Sequence, residues 1–556
     1  MFRFLTIITT IFLLGLTACG GGSSAPTANN PAAPTTTSPP PTTITASASF
    51  VSEHFIGSAN CSSCHNGIRD ENGNDVSIVT DWSSTMMANA TRDPFWKAKV
   101  RSEINRNPEL EELINDKCTR CHAPMANEEM KRNNETIQLF ADGMLSASNN
   151  RHDEAMDGVS CTLCHQIPDT PSLGTPNAFS GHFEINETKT IYGPYTNLVA
   201  QPMISFTGYT PVYSEHIKDS DLCANCHELK TPFVNEFGTI MSQSFEEEFP
   251  EQTPYSEWLN SDYADQQSCQ DCHMSRTDGV IMSNRPGSLS TRRDNFAIHD
   301  FIGANKMMLD IFDKNREQLA VPSNNFAETI SKTETMLASA ANIEQLQSSL
   351  SGGVLTFDLK INSETGHKLP SAYPSRRVIL HVSVIDSSGA VVFESGRPND
   401  NGSIDGLDSD NDRSSYEPHY NLITNSDQVQ VYEAIMANTN DEVTYTLLRS
   451  AKYLKDNRIL PTGFDKVTAP NDVAVKGLAL IDGDFIGGSD QITYQISNLS
   501  NSSYTIEAEL VYQTIAYSFA QDLFLESDTE VTDFKSMYDA SEFKAIPITS
   551  LQFNVQ

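Results

Sequence analysis

The cysteine pattern limits what this 556-residue chain can fold into more than any other feature of it. Ten of its eleven cysteines fall into five pairs, 61-CSSCH-65, 118-CTRCH-122, 161-CTLCH-165, 223-CANCH-227 and 269-CQDCH-273, and every pair is followed at once by histidine. A disulfide across a two-residue gap closes a strained small loop and gives no reason for the histidine. Zinc sites also use C-x-x-C, but they need a second pair and do not require histidine at the next position. Covalent haem attachment requires all three residues, because two thiols add to the haem vinyl groups and the adjacent imidazole binds the iron. Five haem c groups are therefore the expected cofactors. Cys61, Cys64, Cys118, Cys121, Cys161, Cys164, Cys223, Cys226, Cys269 and Cys272 are the expected attachment points, and His65, His122, His165, His227 and His273 the proximal ligands.

The sixth iron ligand is then the open question. Histidine or methionine there closes the haem for electron transfer, whereas an open position permits substrate chemistry. Of thirteen histidines, five are proximal and five more, His54, His152, His182, His216 and His299, lie within the same first 300 residues, which makes them the distal candidates. His54 and His216 share one offset, seven residues before the first cysteine of a motif. Spacing does not say which histidine serves which iron.

The N-terminus, 1-MFRFLTIITTIFLLGLTACGGG-22, reads as an export signal, with one basic residue before an apolar run too short for a stable membrane helix. Its ending, Leu16-Thr17-Ala18-Cys19-Gly20, resembles the lipobox of bacterial lipoproteins, in which cleavage leaves Cys19 carrying a lipid. The alternative is an ordinary cleaved signal with an incidental cysteine. Gly, Ser, Pro, Thr, Ala and Asn then run to about Ala48 and can bury no core, so this stretch is expected to be a tether. The formal charge of −35 argues against nucleic-acid partners, which require clustered Lys and Arg.

From about Phe50 to Phe301 no helical or strand period is sustained, and short helices are expected to wrap the haems. In 82-WSSTMMANATRDPFWKAKVRSEI-104, Trp82, Met86, Ala90, Lys97 and Val100 approximate one helical face, although Pro94 interrupts it. KMMLDIF and SKTETMLASAANIEQLQSSL read as helices leading out of that region. After Gly352 the period changes to two in segments 354–361, 378–386, 390–395, 474–482, 491–497 and 503–516, which predict an antiparallel β-sandwich. The expected organisation is a signal at 1–18, a lipidated cysteine and tether at 19–48, a pentahaem region at 49–305, a helical connection at 306–350 and an all-β domain at 351–556. The polar stretch 400–420 carries Asp405, Asp408, Asp410 and Asp412, which could hold Ca²⁺ or form a plain solvated loop.

With these residues in view, the chain resembles the multihaem c-type cytochromes grouped with cytochrome c-554 and hydroxylamine oxidoreductase, and the pentahaem lipoprotein cytochromes of metal-respiring bacteria. The resemblance rests on the five motifs, on 158-GVSCTLCH-165, 221-DLCANCHEL-229 with His216 before it, and 299-HDFIGANKMM-308. It extends to 365-TGHKLPSAYPSRRVILHV-382 and 452-KYLKDNRILPTGF-464. In these relatives a W-x-x-S-x-H motif supplies a distal histidine. Here the stretch is WSSTMM, so Met87 stands at that position and becomes a further distal candidate, as does His367 of TGHKLP. The resemblance implies electron transfer at the cell envelope, with an outer-membrane lipid anchor, other redox proteins of the envelope as partners and an extracellular electron acceptor. Two alternatives stand beside it: a haem-dependent oxidoreductase acting on a small nitrogen or sulfur compound, and a subunit of a cytochrome filament. Pentahaem nitrite reductases usually carry C-x-x-C-K at the active haem, whereas all five motifs here end in histidine. An electron carrier has no catalytic residue, and none is assigned.

Overall fold

A computed structural model describes residues 48–556 apart from 265 and 286–288. The signal at 1–18, Cys19 and the tether up to residue 47 lie outside the described residues. Ala48 is buried, and its carbonyl accepts the Ala59 N–H at 3.0 Å.

The haem motifs lie on short helices, Ser58–His65, Glu111–His122, Cys161–Cys164, Ser220–His227 and Cys269–His273. A helical turn brings cysteines at i and i+3 to one face and sets the next residue beside the first cysteine, which is the placement thioether attachment needs. The apolar side chains of this region do not form one core. They gather in small clusters, such as Phe55 with Leu163, Ile167 and Phe183, and Ile68 with Val76, Val280 and Phe296.

The stretch that begins at Trp82 differs from the single interrupted helix read in the sequence. Helix Ile78–Ser83 ends before the methionines, Met86 and Met87 occupy a turn, and Pro94 begins helix Pro94–Arg106 rather than breaking one. Proline suits the first helical position because its missing N–H would have no partner there. Asp93 caps this helix, its carboxylate accepting the N–H groups of Phe95 at 2.8 Å and Trp96 at 3.2 Å.

Two sheets make up much of the second half. One has the strand order Leu422–Ile423, Ser489–Ile496, Val354–Ser363 and Ala341–Ser351. The other runs Lys452–Asp456, Val431–Ala437, Arg377–Asp386, Tyr504–Gln513 and Ile546–Val555, with Val391–Ser395 also paired to Arg377–Asp386. Pairing is antiparallel except for the short Leu422–Ile423 strand, which runs parallel to Thr493 and Tyr494. Inner faces of both sheets share one core, with Leu355, Phe357, Leu359, Ile492 and Tyr494 from the first meeting Val378, Leu380, Val382, Ile506 and Leu510 from the second.

Three segments depart from the sequence reading. Residues 341–350, read as helix, belong to strand Ala341–Ser351 because Gly352 and Gly353, at φ +59° and +79°, turn the chain into a hairpin with Val354–Ser363. The expected strand at 474–482 is instead two single turns, Asn471–Val473 and Leu478–Leu480, separated at Gly477, whose φ is +78°. The region read as all β also holds helices Tyr517–Leu523 and Thr529–Ala540. These pack with helix Lys306–Lys314 around Phe312, Phe519, Leu523 and Phe534, and they reach the haem-binding part through Arg101–Glu530 at 2.9 Å and Arg106–Asp522 at 2.7 Å. The described residues form one compact unit.

The four aspartates of 400–420 do not converge. Asp410 makes a bidentate pair with the fully buried Arg377 at 2.8 and 2.7 Å, Asp405 pairs with Arg397, and Asp412 accepts from Ser414 in a local turn. Nothing in this arrangement supports a Ca²⁺ site.

Candidate haem-binding sites

The motifs, up to about 200 residues apart in sequence, meet in space. The sulfurs of Cys61 and Cys161 lie within interaction distance of each other, as do those of Cys121 and Cys226, and of Cys223 and Cys269. Cys164 lies within electrostatic reach of Cys223 and Cys226. The imidazoles repeat the pattern, with His65 near His165, and His227 near both His122 and His273. The first motif thus joins the third, the third joins the fourth, and the second and fifth both join the fourth.

Particular residues hold the motifs this close. Ser58 binds the Asp157 carboxylate through its N–H at 2.9 Å and its hydroxyl at 2.6 Å, and Thr162 bonds to Ile56, so the first motif is tied to the third. Gly181 lies where the second and fourth motifs meet. Its N–H donates to the Asn225 carbonyl at 2.6 Å, and a Cβ there would sit 2.7 Å from the Arg120 Cβ and 3.2 Å from the Cys121 sulfur. Gly158 allows the WSSTMM turn to approach the third motif, since its Cβ would fall 2.6 Å from the Met87 carbonyl oxygen. Trp82 Nε1 donates to the Val159 carbonyl at 2.9 Å, and the Met87 carbonyl accepts the Val159 N–H at 3.0 Å. Met86 and Met87 are both half-buried.

Four proximal imidazoles aim Nδ1 at a backbone carbonyl: His65 at Met282 (2.7 Å), His122 at Ala90 (3.2 Å), His165 at Tyr192 (2.7 Å) and His273 at Ile302 (2.6 Å). A carbonyl can only accept, so Nδ1 carries the proton and the Nε2 lone pair is left for a metal. Burial pushes His122 and His227 down to about 4, so both are neutral at neutral pH, the state that binds iron. Trp96 stacks flat on His122, with centroids 4.5 Å apart and planes 4° from parallel.

Two distal candidates face a proximal imidazole. His299 lies opposite His165 and His367 opposite His273, each with ring centroids 6.2 Å apart and planes at 23° and 8° respectively. A metal–imidazole bond of about 2 Å on each side, with the radius of each ring, gives a centroid separation of this size. The residues therefore fit one six-coordinate iron between each pair. Nδ1 of His299 donates to the Ala297 carbonyl at 3.0 Å and that of His367 to the Lys368 carbonyl at 2.9 Å, which frees Nε2 in both. Burial lowers His299 to about 3.

The other spare histidines are placed differently. Both ring nitrogens of His54 meet side chains, Nδ1 with Glu129 at 3.2 Å and Nε2 with Glu187 at 3.3 Å and Arg132 at 3.1 Å. His216 is engaged at Nδ1 by the Ser214 hydroxyl at 2.7 Å and at Nε2 by the Ile167 carbonyl at 2.9 Å. The shared offset before a motif therefore does not place either with a free ring nitrogen. His182 contacts the Phe179 carbonyl and, through Nε2, Arg120 at 2.6 Å. His152 is half-buried and bonds through Nδ1 to the Met144 carbonyl at 3.0 Å. The carbonyls that orient the ligands carried no sequence signal, because every residue has one.

Residues 60–166 match the family described as cytochrome c554 and c-prime. No curated protein matches the chain. Among solved structures the chain is similar to a penta-heme cytochrome c552 from Thermochromatium tepidum, at 14% identity and a TM-score of 0.49, covering 90% of this chain and 99% of that one. The five C-x-x-C-H motifs, the neutral imidazoles behind them and the matched segment 60–166 together support a multihaem c-type cytochrome family for this chain.

Proposed function

We propose that this chain carries electrons through five covalently bound haem c groups at the cell envelope, exchanging them with other redox proteins and with an extracellular acceptor. The observation that carries this reading is the linkage of all five motifs, first to third to fourth, with the second and fifth both joined to the fourth. Haem supplies one-electron iron chemistry when bound. The chain's own part would be to hold the groups near one another through the neighbouring motifs and to keep the ligating imidazoles neutral and oriented. His165 with His299, and His273 with His367, are read as axial pairs.

The export signal, Cys19 and the tether support a lipid-anchored protein on the periplasmic or outer face of an outer membrane. Among the described residues no helix is long and apolar enough to cross a membrane.

EPR and near-infrared magnetic circular dichroism of the isolated holoprotein test the reading. Five low-spin, six-coordinate haems are the expected result. A substantial high-spin ferric signal would replace the carrier with a haem-dependent oxidoreductase of small nitrogen or sulfur compounds. That second reading draws on one observation, the engagement of both ring nitrogens of His54 and of His216 by other groups, which removes two of the spare ligands.

A further inference from the structure

His367 comes from the β-rich part of the chain, and what holds it opposite His273 is unusual for a protein interior. Behind it lie four charged side chains: Glu257 and Lys368 at 0% exposure, Asp456 at 1% and Arg458 at 5%. Lys368 Nζ reaches Asp456 at 2.7 Å, Arg458 grips the same carboxylate at 2.8 and 2.9 Å, and Arg458 Nη1 reaches Glu257 at 2.8 Å. The two cations and two anions cancel. Ionic clusters buried this deeply are weak stabilisers, because desolvation offsets most of the attraction and apolar packing of equal volume does as well. Stability alone therefore does not account for the cluster.

Its connections do. Glu257 belongs to helix Pro254–Leu259 in the haem-binding part, and its Oε2 accepts the Lys368 N–H at 3.1 Å and the Ser371 hydroxyl at 2.5 Å. The carbonyl of that same Lys368 receives His367 Nδ1 at 2.9 Å. Leu369 is fixed by two reciprocal backbone bonds to Ile459, both 2.9 Å. The residues following His367 are thus pinned at 368, 369 and 371, and the atom that sets the imidazole's rotation belongs to the residue Glu257 holds. Outer-shell partners of this kind commonly fix ligand orientation at metal sites.

We infer that Glu257 is a positioning residue for His367: it fixes the Lys368 backbone so that the imidazole meets His273 with its plane nearly parallel. The inference rests on the reading of His367 as an axial ligand. The test uses the holoprotein and its Glu257→Gln, Ser371→Ala and His367→Ala variants, read by EPR and by spectropotentiometry of all five haems. In the parent, the 8° angle gives the fifth haem the rhombic low-spin signal of near-parallel imidazoles. Glu257→Gln is expected to move that one signal toward the anisotropic form of twisted planes and to shift one potential, with the other four haems unchanged. Ser371→Ala, which loosens the same carboxylate, should show the same change more weakly, and it decides the matter if Glu257→Gln does not accumulate. His367→Ala should turn one haem high-spin, and added imidazole should restore it. If His367→Ala leaves all five haems low-spin, the ligand reading fails. If His367→Ala behaves as expected while folded Glu257→Gln and Ser371→Ala keep the parent spectrum and potentials, the positioning role is overturned and the ligand reading stands.

Discussion

Gly181 offers the sharpest test of how closely the haem motifs are packed. Replacing it with alanine carries two separate costs. Its φ of +76° lies in the left-handed region, which charges an L-residue roughly 1–2 kcal/mol. The new methyl would also stand 2.7 Å from the Arg120 Cβ and 3.2 Å from the Cys121 sulfur. Neither atom is the free end of a flexible side chain, so the segment at Gly181, bonded to the Asn225 carbonyl of the fourth motif, must move off the second, and forced expansion of a packed site costs about 1–3 kcal/mol more. Gly67 separates the two costs, because its φ is +66° and a Cβ there meets nothing within 4 Å. Gly67→Ala should therefore lose only the first amount, and Gly181→Ala about 2–5 kcal/mol in all. Guanidinium unfolding of both holoproteins, followed by circular dichroism and the haem Soret band, measures the difference. Equal midpoints for the two variants would show that Gly181 does not make the close contact with the second motif described, and the packing that brings the second and fourth motifs together would lose its support.

Three further outcomes are expected. Phe357 is fully buried, with its ring stacked on Tyr494 at 5.0 Å, so Phe357→Ala should cost about 3–5 kcal/mol in denaturant titrations. Asp410→Asn removes the charge paired with the fully buried Arg377 and should cost about 3–5 kcal/mol in the same titrations, with no dependence on added Ca²⁺. Asp81 is buried, and that burial raises its carboxyl to about 7 from an ordinary value of 3.8. The folded state then holds a proton that the unfolded state has released, so the group favours folding below about pH 4. That contribution is lost as pH rises toward 7, by at most about 4 kcal/mol. Asp81→Asn should flatten this slope and be the more stable protein at pH 8, as thermal melts across pH 4–8 will show.

Much of the candidate site was legible because its chemistry is local. A C-x-x-C-H motif needs one helical turn, and each of the five lies on a short helix or at its end. His54 and His216 show where local reading stops. Their spacing suggested ligands, but His54 and His216 spend both ring nitrogens on partners as distant in sequence as Glu129, Glu187 and Ile167. The helix Thr529–Ala540 was readable from Val531, Phe534 and Tyr538 at helical spacing, all buried on one face, and was hidden only by the strand periodicity before it. The strand Ala341–Ser351 was not readable, because its Glu, Gln and Leu favour helix and the hairpin at Gly352 and Gly353 overrules them.

The sequence by itself pointed to haem c as the cofactor and set the expectation of five attachment sites, since thioether chemistry needs specific side chains at fixed short spacing and nothing distant. It also fixed the formal charge of −35 and set the expectation of an export signal. Only the tertiary structure decided which motifs are neighbours, that His299 and His367 face proximal imidazoles, and that the β-rich part reaches into the haem-binding part. Those are contacts between residues as much as 94 or 134 positions apart, such as His273 with His367 and His165 with His299. They are held by the buried pairing among Glu257, Lys368, Asp456 and Arg458 and by the helices packed around Phe312, groups that the chain brings together from distant positions.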